Sequence, residues 1–378
     1  MTVRIGLVGF GNIGKEHAKL LQSDATPGLE LTAVCASTVD LDDVAHYKAY
    51  EELLAAKVCD AIVIATPTLD HPEKAKLALA HGYHVLVEKP VAMSVEQADG
   101  VIAAVPDGQI CGVMLNQRHH PVFAKIKALL DLDAIGPIVR YQWTMTAWYR
   151  PDIYYQVSTW RGTWPGEGGG LLINQCIHNL DVLQWWLGLP SAINAHVGFG
   201  KYHDIEVEDE VSAYFEHEDG VTGTLVASSG EAPGINSLDI IGDRGMLRFD
   251  GEVLKLWTRD TSVAQARAET RDMFDVPEFM SEVIEIEPTS SQHANIFNNF
   301  ADAVEGKADL ATPIREGLGS LQLANGILLS AWQNRKVAVP IDHSAYEAVL
   351  QSKISSTSNG VRNCVELIFD CRAASYAE

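Results

Sequence analysis

The chain has 378 residues, of which 47% are hydrophobic and 21% charged, and it carries a formal net charge of −22. That length points to two domains, and with no apolar run reaching the ~18 residues of a bilayer span, membrane insertion is not expected. The negative charge opposes nucleic acid and anionic lipid surfaces, which leaves a small molecule as the favoured ligand.

The N-terminus, Met1-Thr2-Val3-Arg4-Ile5, enters a strand-like run with no basic leader and no small-residue cleavage site, so a cytoplasmic location is expected. Up to about residue 117, apolar runs at 3–8, 31–36, 61–65, 84–87 and 110–115 alternate with helical patterns at 13–21, 71–80 and 95–104. This alternation builds a parallel sheet through crossover helices, and Ser94 stands where it can cap the last of them. Residues 1–120 are expected to form a doubly wound α/β domain. The six cysteines (Cys35, Cys59, Cys111, Cys176, Cys364, Cys371) include no C-x-x-C pair and read as reduced structural thiols without a metal site.

After Pro121 the rhythm changes. A helix is expected near 122–130, a strand over 138–147, an irregular aromatic stretch over 149–170 and one helix over 171–187. Strand-like runs follow at 193–198, 211–216, 222–228, 237–241 and 246–249, joined by short turns containing Asp219-Gly220 or Asp243-Arg244-Gly245, which favours antiparallel pairing. Helical patterns return at 295–304 and 314–332. Residues 121–342 therefore read as an α+β domain with an open, mainly antiparallel sheet. One face of that sheet needs a cover, and a homodimer or homotetramer would supply it. Residues 343–378 are a tail of unknown role in which 355–360 reads as a flexible segment.

Gly9-Phe10-Gly11-Asn12-Ile13-Gly14 stands where the first strand ends and the first helix begins. Such glycines permit a tight turn, let the backbone approach a pyrophosphate and set that anion at a helix N-terminus, as in the Rossmann dinucleotide fingerprint. Where an acidic residue would hold the adenine ribose, the chain has Cys35-Ala36-Ser37-Thr38, with neither a carboxylate to reject a 2′-phosphate nor an arginine to welcome one. Asp40, Asp42 and Asp43 make the loop acidic, which favours NAD over NADP. Ser37 and Thr38 either bind the ribose or start a turn.

Two later strand ends carry Ala65-Thr66-Pro67, with His71 following, and His84-Val85-Leu86-Val87-Glu88-Lys89-Pro90. Further on stands Gly168-Gly169-Gly170-Leu171-Leu172-Ile173-Asn174-Gln175-Cys176-Ile177-His178-Asn179-Leu180-Asp181. With the glycine loop, these motifs resemble the glucose-fructose oxidoreductase/inositol dehydrogenase/MocA (Gfo/Idh/MocA) family, through its E-K-P and G-G-G-x-L-x-D-x-x-x-H-x-x-D elements. The resemblance covers about residues 2–341. It implies an NAD(P)-dependent dehydrogenase or reductase acting on a sugar, a cyclitol or a derivative of one. It also implies a cis Lys89-Pro90 peptide and cofactor contacts from Ala65, Thr66, Pro67, His71, Glu88, Lys89, Asn116, Trp160 and Arg161.

A lysine at the carboxyl end of a parallel strand faces the crevice where doubly wound sheets bind ligands, and there an ammonium stabilises a developing alkoxide. Lys89 and His178 are the candidate catalytic pair, with His178 as general base in oxidation and general acid in reduction. Asn174, four residues before His178 on the expected helix, shares its face. The family commonly has aspartate at that position. Asparagine supplies neither proton nor charge, so it orients the substrate or His178. Asp181 either orients the imidazole or pairs elsewhere.

Trp143, Trp148, Tyr149, Tyr154, Tyr155, Trp160 and Trp164 crowd into 22 residues, where the average content of 8% gives about two. Flat rings suit the C–H face of a sugar, with Arg118, Asn116, Gln117, His119, Arg150 and Arg161 as hydroxyl partners. The substrate site is expected to draw on Lys89, Arg118, Trp148, Tyr149, Asn174 and His178. Two other readings come from relatives: an NAD-retaining glycosidase that uses transient oxidation, and a non-catalytic sugar or dinucleotide sensor. Retention of both Lys89 and His178 argues against the sensor.

Overall fold

The computed structural model describes residues 2–287 and 291–357. Strands β1 (Val3–Val8), β2 (Leu29–Cys35), β3 (Ala45–Tyr47), β4 (Ala61–Ile64), β5 (His84–Val87) and β6 (Cys111–Val113) form a sheet in the order β3-β2-β1-β4-β5-β6. All five pairings are parallel. Helices cover both faces of such a sheet, so its strands read as continuous apolar runs, and every residue of β4 is buried. Strand order reverses between β1 and β4, which opens a crevice at their carboxyl ends. Register sets what lines it: Val8 pairs with Ile64 and Ile64 with Val87, so Gly9, Ala65 and Glu88 follow their strands side by side.

The second sheet contains β7 (Ile138–Met145), β8 (Ala192–Phe199), β9 (Glu208–Glu216), β10 (Thr222–Ser228), β11 (Asn236–Gly242), β12 (Gly245–Phe249), β13 (Leu254–Thr258), β14 (Met280–Ile284) and β15 (Val337–Ala338). Their order is β14-β13-β12-β11-β7-β10-β9-β8-β15, and of these pairs β7 and β10 alone run parallel. In β9 the buried Val211, Ala213 and Phe215 alternate with exposed Ser212 and Tyr214, the period of a sheet covered on one side. Helices Ile177–Leu187 and Gly317–Gln333 lie against the covered side, and Ser330 Oγ accepts Ala195 N–H of β8 at 3.0 Å.

The expected elements recur with shifts of a few residues at their ends, and Ser94 caps helix Val95–Ala103 by accepting Gln97 N–H. The structure adds β3, β14, β15 and the helices Tyr50–Ala56 and Val263–Glu269, which were not expected, and three places differ in kind. Helix Gln292–Val304, assigned by its position in the chain to the second domain, packs Ile296, Phe297, Phe300 and Ala301 onto Val3, Ile5 and Leu31 of the first sheet. The tail opens with helix His343–Ser356. It is capped by Asp342, buries Tyr346 and Leu350, and stacks the Tyr346 ring on Trp332 at 5.2 Å. Ser355 and Ser356 of the expected flexible segment end that helix; from residue 358 the segment lies outside the described residues, as do Cys364 and Cys371. The other four cysteines are free and buried. The third difference, in the expected helix over 171–187, bears on the site. No helix among the described residues is long and apolar enough to cross a membrane.

Candidate active site

The glycine loop is shaped for a dinucleotide. Gly9 adopts φ +97°, and a Cβ there would stand 2.5 Å from Ala65 O, so only glycine joins β1 to the helix this close to β4. A Cβ on Gly11 would meet nothing within 4 Å, which leaves open space in front of helix Asn12–Leu21, whose N-terminus has no side-chain cap. Amides at such a terminus suit a pyrophosphate. Along the crevice, Thr66 Oγ1 and Asn116 Oδ1 are buried without a protein partner, as groups that await a polar ligand would be. Ser37 and Thr38 are exposed beyond the end of β2, where the adenine ribose would lie. These residues fit NAD(P).

Two residues expected to touch the cofactor are committed elsewhere. Both ring nitrogens of His71 face backbone carbonyls, Pro90 O at 2.7 Å and Thr66 O at 2.8 Å, so this buried ring ties the loop after β4 to the loop after β5. Glu88 is also buried: Oε1 meets His17 Nε2 at 2.6 Å and Oε2 accepts Lys89 N–H at 3.0 Å. Burial pushes its pKa up, but the His17 hydrogen bond and the charges of His17, His293 and Lys89 outweigh burial and bring it to about 2. Glu88 is thus a buried anion fixing the Lys89 backbone. The Lys89-Pro90 peptide is cis, as the resemblance implies.

Beyond β5 the two halves of the site meet. The stretch expected as one helix is broken into Leu171–Asn174 and Ile177–Leu187, because Leu171 O accepts from the amides of both Gln175, at 3.1 Å, and Cys176, at 2.8 Å. An inserted residue of this kind is a π-type irregularity, common at functional sites. Asn174 and His178 therefore do not occupy successive turns of one regular helix, which corrects the shared-face expectation. The break has a use. In an unbroken helix Asn174 O would face the amide of residue 178, whereas here it accepts Lys89 Nζ at 2.9 Å.

Burial lowers the Lys89 pKa, and the charges of Arg161 and Arg150 push in the same direction, while Glu88 and Glu167 oppose them. Burial and the Lys89 charge hold the His178 pKa well below its ordinary value, so the imidazole is neutral and ready to accept a proton. Its Nδ1 is buried with no protein partner. Asp181 does not orient it.

Asp181 instead accepts Arg118 Nε at 2.8 Å and Nη2 at 2.7 Å, and Glu316 accepts Nη1 at 3.0 Å. Arg118, expected to bind substrate, is therefore a buried structural cation. The aromatic cluster divides. Trp143, Tyr155 and Trp164 belong to the core, Trp143 stacked on Trp186 and Trp164 packed on Trp332. Trp148, Tyr149, Tyr154 and Trp160 stay partly exposed, with the Arg161 guanidinium 4.4 Å from the Tyr154 ring centroid and 4.5 Å from that of Trp160.

The residue missed from sequence is Glu167, 3% exposed, which accepts Gly162 N–H at 2.6 Å and Asn174 Nδ2 at 2.5 Å. Burial raises its pKa, countered by Gly162, Arg161, Asn174 and Lys89. One sequence signal pointed to it, since it is the only carboxylate between Asp152 and Asp181. A second buried acid, Glu208, accepts the amides of Gly170 and Leu172 and so holds the triple-glycine loop; burial pushes its pKa up to about 7. At Gly170 a Cβ would come within 2.3 Å of Glu208 O, which explains the last glycine of that triplet.

Comparison with known proteins agrees with this geometry. Residues 3–117 match the family description "Oxidoreductase family, NAD-binding Rossmann fold", and residues 123–248 match "GFO/IDH/MocA C-terminal domain". The chain is 27% identical to scyllo-inositol 2-dehydrogenase (NAD(+)) of Bacillus subtilis (strain 168) over 82% of this chain and 89% of that protein. It is 24% identical to inositol 2-dehydrogenase of Rhizobium meliloti (strain 1021), over 90% of this chain and 100% of that one. A crystal structure of the WlbA dehydrogenase from Bordetella pertussis, in complex with NADH and UDP-GlcNAcA, is similar at a TM-score of 0.76 and 25% identity, covering 90% of this chain and 100% of that one. Glycine loop, E-K-P strand end, G-G-G element and sheet order thus coincide with matches along both domains, and the chain is an NAD(P)-binding oxidoreductase that belongs to the Gfo/Idh/MocA family.

Proposed function

We propose that the chain moves a hydride between the nicotinamide of NAD(P) and a ring carbon of a sugar, cyclitol or sugar derivative, interconverting a hydroxyl and a ketone. The observation that carries this reading is the meeting of Lys89, at the carboxyl end of β5, with Asn174 and a neutral His178. NAD(P), when bound, supplies the hydride acceptor or donor. In oxidation His178 takes the hydroxyl proton while Lys89 Nζ hydrogen-bonds the same oxygen and stabilises its developing charge; in reduction His178 returns the proton. A lysine pKa lowered by burial suits this role, because donation strengthens as the ammonium becomes more acidic. Trp148, Tyr149, Tyr154 and Trp160 are the residues proposed to border the sugar ring, and Asn174 to orient it.

NAD is the expected cofactor, from the acidic loop after Thr38; a preference for NADP above ~100-fold, about 2.7 kcal/mol, would overturn that choice. We also expect the open face of the second sheet, where Tyr214 is 40% and Val226 is 37% exposed, to be covered in a homodimer or homotetramer. A monomer by light scattering at micromolar concentration would refute this.

The central test is titration with NADH and NADPH, followed by a screen of inositols, pyranoses and their keto derivatives read by nicotinamide absorbance. Net turnover of free cofactor that disappears in Lys89→Ala is the expected result, and it separates dehydrogenation from glycoside cleavage with retained NAD. Failure to bind either nucleotide would overturn the reading.

A further inference from the structure

Asn174 places an amide beside Lys89 where a carboxylate would balance the ammonium, and Glu167 stands directly behind that amide. The two oxygens of Glu167 are used separately, Oε2 for Gly162 N–H and Oε1 for Asn174 Nδ2. An ionised carboxylate only accepts hydrogen bonds, so this contact fixes the Asn174 amide with its NH2 turned to Glu167 and its Oδ1 turned away. The backbone carbonyl of the same Asn174 accepts Lys89 Nζ, so one residue links the carboxylate to the lysine. Thr163 Oγ1 accepts Gly166 N–H at 3.2 Å and sets the short turn, Trp164–Glu167, that delivers the carboxylate.

We infer that Glu167 is a positioning residue for the reaction, holding the Asn174 amide so that Oδ1 is the acceptor offered to the substrate, and supplying from a neighbouring turn the negative charge that balances Lys89. The inference rests on the dehydrogenase reading above. The charged and titratable groups that act on Lys89 are Glu88, Arg161, Glu167 and Arg150, with His178 and His293 close enough to feel the lysine charge. Of the two carboxylates, Glu88 is taken up by His17 and the Lys89 backbone amide, whereas Glu167 reaches Lys89 through Asn174.

Hydrogen-bond bookkeeping makes the role testable by relocating the charge. In Glu167→Gln the only acceptor is taken by Gly162 N–H, and the new NH2 faces the Asn174 NH2. Asn174 must then flip and present its own NH2 to the cleft. In Asn174→Asp two carboxylates meet where one hydrogen bond stood. In the double variant the Gln amide donates to the new Asp, the second Asp oxygen remains an acceptor in the cleft, and one negative charge again stands beside Lys89.

The experiment compares wild type, the two single variants and the double variant in four measurements: melting temperature, NADH affinity, kcat and KM on the best substrate of the screen, and the pH midpoint for acylation of Lys89, read by peptide mass spectrometry. Each single variant should lose roughly 10–100-fold in kcat, the worth of a charged hydrogen bond. NADH affinity should hold, and the double variant should recover most of the lost rate. The Lys89 midpoint should fall in Glu167→Gln and return in the double variant. A Glu167→Gln enzyme with wild-type kcat, or a double variant no better than the worse single, would overturn the inference. Should Glu167→Gln fail to fold, the rise expected from Asn174→Asp to the double variant decides the matter. If the wild type turns over nothing in the screen, the dehydrogenase reading fails, and an unmoved Lys89 midpoint in Glu167→Gln would separately sink the role given to Glu167.

Discussion

Replacing Asp181 with alanine tests whether Arg118 is structural, because it strands a buried guanidinium. The Arg118 and Asp181 side chains are 7% and 1% exposed and share two hydrogen bonds, at 2.8 and 2.7 Å, and Gln184 Nε2 adds a third to Asp181 at 3.1 Å. Removing one partner of a buried pair costs ~3–5 kcal/mol, mostly through the charge left unpaired. Glu316 would still hold Arg118 Nη1, but its side chain is 38% exposed and shares the charge with water. Asp181→Ala should therefore sit near the lower end of that range, at about 3 kcal/mol. Adding Arg118→Met should recover much of the loss, since no charge is then stranded. Denaturant unfolding, read as a change in midpoint at constant slope, measures both. A loss below ~1 kcal/mol in Asp181→Ala would refute the reasoning. An Arg118→Met enzyme of normal stability whose KM alone rises would return Arg118 to the substrate site.

Burial lowers the pKa of His71, His84, His119, His120, His178, His217 and His293, the last to about 4. The unfolded chain therefore takes up more protons below ~6.5, and stability should be lost as pH falls from there toward about 4. Glu88, brought to about 2, adds to the acid loss below its ordinary value of 4.5, whereas Glu208, pushed up to about 7, favours folding while protonated and loses that contribution as pH rises through about 7. Melting temperature against pH reads the balance, and a flat acid limb would contradict it. Gly9→Ala should lower both stability and NADH affinity, measured by melting and fluorescence titration, since its Cβ would meet Ala65 O at 2.5 Å. Leu350→Ala should cost ~2–5 kcal/mol, as for a fully buried leucine, if helix His343–Ser356 belongs to the folded core; denaturant unfolding decides.

Five strands of the first sheet were legible because they are mainly apolar runs alternating with helical patterns, whereas β3, with Ala45 and His46 exposed, carries no such signal. Gly9 and Lys89 were legible because they follow strands of the first sheet, and His178 because the G-G-G element around it resembles that of the family. What escaped depends on partners distant in sequence. Arg118 looked like a ligand because nothing in the sequence shows that Asp181 and Glu316 converge on it. Trp143 and Trp164 looked like a sugar-binding wall because composition does not say which side of a strand or turn faces the core. The break after Asn174 escaped because Leu171–Leu187 has the length and apolar content of one helix, and a single inserted residue leaves little mark on the periodicity of so short a stretch. Glu167 stands in a glycine-rich turn with no periodicity, marked in the sequence only as a lone carboxylate, and its meaning comes from the amides it holds. Tyr346 and Leu350 lie four apart on one helical face, a signal present in the tail but masked by the serines that follow.

The role of His178 is tested most directly by single-turnover hydride transfer from the best substrate to bound NAD, in wild type and in His178→Ala. Loss of the proton acceptor should slow that step by roughly 10²–10⁴ while leaving cofactor affinity nearly unchanged. In the wild type the acidic limb of the rate profile should lie below the ordinary histidine value of 6.5, following the lowered His178 pKa. Near-normal hydride transfer in His178→Ala would contradict the assignment and require the proton to leave through another group.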